Sequence, residues 1–212
     1  MADQTASPEL KHIFDLARLN AFARETKAIW PAFDEGRFLG IVSTDLDALG
    51  IMQRMRQVAE GFHQTLPEDY GRALGILEDL APRINHGFAS IALAEFVVLR
   101  GRHDFDRSMQ ALAFFTRFGS SEFAVRHFLL DDLERALGAM RGWAEDDNEH
   151  VRRLASEGAR PRLPWSFQLK TLQADPTLAM PMLEQMKADK SLYVRKSVAN
   201  HLNDISKDHP DW

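Results

Sequence analysis

With 212 residues and an apolar fraction of 45%, the chain is long enough for one large or two small domains with a real core. It contains no cysteine, which removes disulfides, thiolate zinc sites, iron–sulfur ligation and cysteine nucleophiles together and makes the cytoplasm the simplest location. A net charge of −5 argues against a polyanionic partner when read globally, yet residues 147–207 hold 10 Lys/Arg against 7 Asp/Glu while residues 1–146 hold 16 against 22, so the base is concentrated locally.

The first eight residues are polar and read as disordered. Helical spacing starts with Leu10, Ile13, Phe14, Ala17 and Ala21, and Trp30-Pro31 breaks it. Further helical patterns fit 33–44, 46–64 and 70–80, with Leu66-Pro67 and Ala81-Pro82 as punctuation. The most apolar run, 88–99, is interrupted by Glu95 and too short to span a bilayer; its length and alanines favour a buried helix. No strand alternation appears, so the chain reads as all-α.

From Phe105 onward the helices come in pairs: 108–118 with 123–130, 133–143 with 148–157, then 166–172 and 180–188 leading into 193–205. A repeat lies inside them. Asp146 precedes Val151-Arg152-Arg153 by five residues and Asp189 precedes Val194-Arg195-Lys196 by the same five, a period of 43 that Val125-Arg126 echoes more weakly. Period and signature match HEAT-type helical pairs, which predicts an α-solenoid whose inner helices line a concave groove; the competing architecture is an irregular helical bundle. One solenoid domain over 1–212 is expected, with residues 1–104 as N-terminal helices and 105–212 carrying the repeats and the site. Pro210-Asp211-Trp212 falls where the next repeat should begin, so C-terminal repeats are expected to be missing.

The stretch 143–165 combines an amphipathic helix with a proline-stiffened basic loop that ends on an indole. Gly158 reads as the residue that stops the helix in a left-handed conformation, leaving Glu157 at the negative end of the helix dipole, where a carboxylate is disfavoured for folding alone. Arg153 shares a face with Glu157. Through the repeat Arg153 corresponds to Lys196 and Glu157 to Asn200, and Lys196, Asn200, Asp204 and Lys207 follow one stripe. Basic residues with carboxylates between them suit a polyanion that is gripped while one cationic centre is stabilised; phosphate binding alone would not want Glu157 or Asp204 there.

The motifs SSEFAVRHFL (120–129), HVRRLASEGARPRLPW (150–165) and LYVRKSVANHLNDISKDHPD (192–211) resemble the AlkC branch of the AlkC/AlkD alkylation-repair DNA glycosylases, and the resemblance covers essentially the whole chain. It implies a right-handed superhelix of HEAT-like helix pairs. It further implies a monofunctional enzyme, without metal or cofactor, that hydrolyses the N-glycosidic bond of cationic alkylated bases in double-stranded DNA, chiefly 3-methyladenine and 3-methylcytosine. The resemblance implies that such solenoids can wrap the duplex and leave the base in the stack, and a monomer is expected. By this resemblance and their spacing, Glu122, Glu157, Asp204 and Trp165 are the catalytic candidates, and Arg126, Arg153, Arg160, Arg162, Lys196, Asn200 and Lys207 the DNA-binding ones. The chemistry is coherent: departure of a cationic base builds positive charge on the deoxyribose, which nearby anions stabilise.

Each assignment has a plainer competitor. Glu122 is also a first-turn acid favoured by the dipole, Glu157 also a surface partner for Arg153, Trp165 also a core anchor, and Asp204 also a solvated side chain. The histidines show no HExxH spacing, GxGxxG, GxxxxGK[ST] and GxSxG are missing, and His127, His150 and His201 are given no catalytic role. The second functional class is a non-catalytic HEAT scaffold that binds nucleic acid or protein through the same groove.

Overall fold

A computed structural model describes residues 8–84 and 86–211. Every regular element among them is helical. In chain order the helices are α1 (Pro8–Lys11), α2 (Leu16–Ile29), α3 (Glu35–Val42), α4 (Ile51–Thr65), α5 (Tyr70–Ile84), α6 (Gly87–Arg100), α7 (Phe105–Phe115), α8 (Glu122–Asp131), α9 (Leu133–Trp143), α10 (Glu149–Gly158), α11 (Lys170–Ala174), α12 (Met180–Met186) and α13 (Leu192–Ser206). The chain divides into two compact units, Met1–Ala111 and Leu112–Trp212, and the division falls inside α7. None of the described helices is long and apolar enough to cross a membrane.

The starts of these helices are written in local chemistry. Asp15, Asp34, Asp132, Asn148 and Ser191 each accept a backbone N–H of the first turn with their side chain, satisfying a donor that the helix cannot. Asp15 also divides what the sequence reads as one periodic run. The face that is buried in α2 is Leu19, Phe22, Ala23 and Thr26, while Ala17 is exposed. Of the first eight residues, expected to lack order, 1–7 lie outside the described residues, while Pro8 begins α1.

Three boundaries differ from expectation for identifiable reasons. The run 46–64 is a short 3-10 turn (Leu46–Ala48) followed by α4, because Asp45 turns with φ of 50° and Gly50 caps a new helix, its N–H held by the Gln53 side chain at 2.9 Å. Pro82 does not stop α5, which continues to Ile84; the proline sits in the last turn, where the single lost hydrogen bond is tolerated. Residues 166–169 are loop, and the helix expected from 166 is only α11.

In the first unit, α4 packs on α3 and α6, and α2 on α3 and α5. Phe62 at the centre meets Phe22 edge-on at 6.0 Å and Phe38 at 4.8 Å between centroids. Helix α6 is buried along its whole face from Ala89 to Val98, Glu95 included, as its apolar run implies. Burial pushes the Glu95 carboxyl above its ordinary value, and the Arg56 guanidinium, in direct contact with it, opposes that shift.

In the second unit, α8, α10 and α13 lie side by side, α10 touching both others, with α9 and α12 behind them. The 43-residue period is physical. Arg152 Nη1 donates to the carbonyls of Asp146 and Asp147, both at 2.9 Å, and Arg195 Nη1 donates to those of Asp189 and Lys190 at 2.5 and 3.1 Å. Arg152 then spans to the next unit of the repeat, gripping the Asp189 carboxylate with Nε at 2.7 Å and Nη2 at 3.0 Å. That fork holds the Asp189 carboxyl below its ordinary value.

Gly61 lets α4 approach α3 closely, since a Cβ there would lie 2.5 Å from Val42 Cγ1 and 3.0 Å from the Phe38 ring. Gly75 in α5 has nothing within 4 Å. Gly61→Ala is therefore expected to lose roughly 1–3 kcal/mol through overpacking, while Gly75→Ala gains up to about 1 kcal/mol from backbone entropy. Denaturant unfolding of the two variants checks this; equal effects of the same sign would contradict it.

Candidate functional site

The end of α10 is where the sequence candidates meet. Gly158 is the last helical residue and its φ is negative, so the left-handed stop expected there does not occur. Glycine is required for a different reason: a Cβ would stand 2.4 Å from Val125 Cγ1, so α8 and α10 touch backbone to side chain at this point. The close approach brings Glu122, at the start of α8, within reach of the α10 side chains.

An alternating series of charges results. Arg153 Nη1 contacts Glu122 Oε2 directly and Ser120 Oγ at 3.2 Å, and its Nη2 lies 3.5 Å from Glu157 Oε1. Arg160 Nη1 donates to the same Glu157 Oε1 at 2.6 Å, and Arg160 Nε donates to Asp204 Oδ2 at 2.8 Å. Lys207 Nζ closes the series 3.4 Å from Asp204 Oδ1. Glu157 and Asp204 are buried, at 5% and 2% exposure, which rules out the surface-pair and solvated readings of these two acids. Burial lowers the affinity of the Arg160 guanidinium for its proton, but hydrogen bonds to Asp204 and Glu157 outweigh it and the net shift is upward.

Trp165 closes the loop 159–169. It is 48% exposed with φ of 63°, so it is no core anchor, and holding a bulky residue in that region costs about 1–3 kcal/mol. Such strain persists only where the surroundings over-determine it. Lys196 and Asn200 are exposed on α13, and Lys207 is exposed beside Asp204.

Two basic candidates do something other than expected. Arg126 is fully buried, and its guanidinium donates to the carbonyls of Gly158 (3.0 Å), Arg160 (2.7 Å) and Phe167, so it cannot reach a phosphate. Arg160, 9% exposed, spends its guanidinium on two carboxylates. Arg162 forks onto Asp208, whose carboxyl it holds down at about 2, with Gln173 adding a bond at 2.9 Å.

Several partners were not singled out from sequence. Ser197 Oγ, buried on α13, donates to Glu157 Oε2 at 2.6 Å. Ser120 Oγ donates to Glu122 Oε2 at 2.9 Å, and the Tyr193 ring lies 5.1 Å below the Arg153 guanidinium. Ser197 stands seven residues before Asp204, two turns along the same face of a helix, a spacing that marks it as a neighbour. The serine before Glu122 carries no such signal. No cluster of metal-binding side chains occurs among the described residues.

The family described as DNA alkylation repair enzyme matches residues 7–212. The uncharacterized protein YhaZ of Bacillus subtilis (strain 168) is 44% identical over 203 residues, covering 95% of this chain and 57% of that protein. The structure of the Pseudomonas fluorescens alkylpurine DNA glycosylase AlkC, bound to DNA containing an abasic-site analogue, is similar with a TM-score of 0.95 and 57% identity, over 98% of this chain and 58% of that one. The chain thus spans somewhat under three fifths of the length of these relatives.

Beneath the site, His201 is 0% exposed, with Nδ1 at 3.0 Å from the Ser156 carbonyl, and burial, joined by Arg160 and opposed by Asp204 and Glu157, pushes its pKa down to about 4. In the unfolded chain the ring takes a proton near 6.5. Between those values the unfolded state binds more protons, so stability is full above about pH 6.5 and falls as pH drops toward 4. A loss of about 2 kcal/mol from His201 is expected between pH 7 and pH 5 by this linkage. Denaturant unfolding at the two pH values checks it, and the same slope in His201→Gln would assign the loss elsewhere.

Proposed function

Since the chain belongs to the DNA alkylation repair enzyme family, we propose that it is a monofunctional DNA glycosylase, working in the cytoplasm, that releases cationic alkylated bases, chiefly 3-methyladenine and 3-methylcytosine, from double-stranded DNA. One observation carries this reading: Glu122, Glu157 and Asp204 are gathered by Arg153 and Arg160 into one alternating array, buried at Glu157, Arg160 and Asp204 and partly open at Glu122 and Arg153. A scaffold that only gripped phosphates would have no use for three carboxylates at its centre.

The chemistry follows from the lesion. A base already carrying positive charge leaves without much protonation, and the charge that develops is on the deoxyribose. Anions fixed near C1′ lower that barrier because they need not reorganise when the charge appears. Glu157 is the most firmly fixed, with one oxygen on Arg160 and the other on the neutral Ser197 hydroxyl. In Asp204, Oδ2 is committed to Arg160, while Oδ1 lies 3.4 Å from the exposed Lys207. That oxygen is the one placed to orient or deprotonate water once Lys207 turns to a phosphate. The exposed Trp165 indole packs against the deoxyribose or the cationic base. Lys196, Asn200 and Lys207 on α13, with Arg162, whose side chain is 33% exposed, hold the backbone; Arg153 and Arg160, each engaged with two carboxylates, position them instead.

The test is release of free base from methylated duplex DNA, followed by chromatography. 3-Methyladenine and 3-methylcytosine should both appear, and Glu157→Gln should slow their release at least about tenfold, the loss of roughly 1.4 kcal/mol of transition-state stabilisation. DNA binding without any release above a buffer control would replace the enzyme with a scaffold.

A further inference from the structure

We propose that Arg126 is a positioning residue of the reaction, the clamp that holds the loop 159–169 so that Arg160 and Trp165 stand where the carboxylates and the sugar need them. The role rests on the glycosylase reading above, and it goes beyond that reading by assigning a task to a side chain that touches neither DNA nor any catalytic carboxylate by hydrogen bond.

The loop is anchored at its start by Arg160 and Arg162 and at its end by the buried Leu169, but its own backbone bonds are few: Ala159 N–H and Arg160 N–H to Glu157, Ser166 N–H to Leu163 at 3.3 Å and Leu169 N–H to Pro161 at 3.1 Å. It nonetheless keeps Trp165 in a left-handed conformation at its exposed edge. Arg126 reaches the loop from α8 and takes three carbonyls, that of Gly158 at the end of α10, that of Arg160 at the loop's entrance and that of Phe167 just past Trp165. Those acceptors bracket the two residues that matter. The Phe167 ring then lies 5.3 Å from the guanidinium, closing it against solvent.

Folding alone would not choose an arginine here. A fully buried guanidinium whose Nε has no partner among the described residues is a costly object to desolvate. What arginine adds is a rigid planar fork that reaches both ends of a loop from one point, which the single ammonium of lysine cannot do. Burial and the neighbouring Arg160 lower its pKa to about 10, with Asp204, Glu122 and Glu157 acting the other way, so it remains charged at neutral pH.

The experiment uses Arg126→Lys, which keeps the charge and loses the fork, with two readouts. Amide hydrogen exchange should quicken at least tenfold at Ser166 and Leu169, without change at the amides of α6. Single-turnover release of 3-methyladenine under saturating enzyme should slow at least tenfold, while affinity for the same duplex changes less than threefold; a merely structural role would lower the unfolding temperature and leave this rate intact. Loop amides as protected as in the parent protein would overturn the clamp, and a loosened loop with a rate within twofold of the parent would overturn its catalytic purpose. Should Arg126→Lys fail to fold, Phe167→Ala decides by the same two readouts at a threefold threshold, since its ring is 36% exposed and can be removed without opening the core. If the parent protein releases no base at all, the glycosylase reading fails, and the holding of the loop is then judged on amide exchange alone.

Discussion

Everything in the second unit depends on one constraint: anions and cations that have left water must meet each other. Glu122, Arg153, Glu157, Arg160 and Asp204 alternate in sign, and each arginine joins two acids from different elements. Arg153 joins α8 to α10, and Arg160 joins the end of α10 to α13. Arg160 is the member whose loss costs most, since it would leave the buried Asp204 with only the exposed Lys207 beside it among the described residues, a loss of about 3–5 kcal/mol. The charge array and the helix packing are therefore one structure. Neither could form without the other.

The repeat supplies the register and the site then departs from it. Arg152 and Arg195 bind their own upstream carbonyls in the same way, and Arg152 adds the fork to Asp189 that fixes α13 beside α10. With that register set, a strictly periodic chain would carry the counterpart of Glu157 at position 200, which is Asn200. The acid stands instead at Asp204, one turn further along α13, where the Arg160 guanidinium reaches it from the loop. Structural periodicity thus ends where chemistry begins. The repeat positions helices, and residues that break the repeat occupy the site.

What the sequence disclosed and what it withheld divide along physical lines. Helices follow from apolar spacing and caps, and both operate locally, so the all-helical class, the pairing after Phe105 and the 43-residue period could all be read. The gathering of Glu122, Glu157 and Asp204 also emerged, because three long motifs resemble one family and spacing put two of the acids on polar faces. Tertiary contacts were harder. Nothing in a linear pattern says that Arg126 points inward while Arg153, on the neighbouring helix, faces the acids. Gly158 shows the same limit: its type was informative, but the reason is a contact with Val125 across 33 positions of chain, not the local turn that glycine usually signals.

A site that stabilises a passing cation must keep its carboxylates apart and charged before that cation arrives, yet must not neutralise them completely. Water would screen them, and a free lysine would collapse onto them. Arginine in a fixed fork avoids both outcomes, because its geometry occupies a defined edge of each carboxylate and leaves the remaining lone pairs pointing elsewhere. Ser197 adds a neutral donor to Glu157, which orients the group without cancelling its charge. The resident arginines also repel a substrate cation, so the benefit arises only if the carboxylates lie nearer to the sugar than the guanidiniums do. Arg160 is committed to one edge of Glu157 and one edge of Asp204, and Arg153 is engaged by Glu122 and lies over the Tyr193 ring, so both cations are fixed before a substrate arrives. On the proposed reading, the placement of the cations matters as much as the presence of the anions, because it decides whether such a network can serve a positively charged transition state.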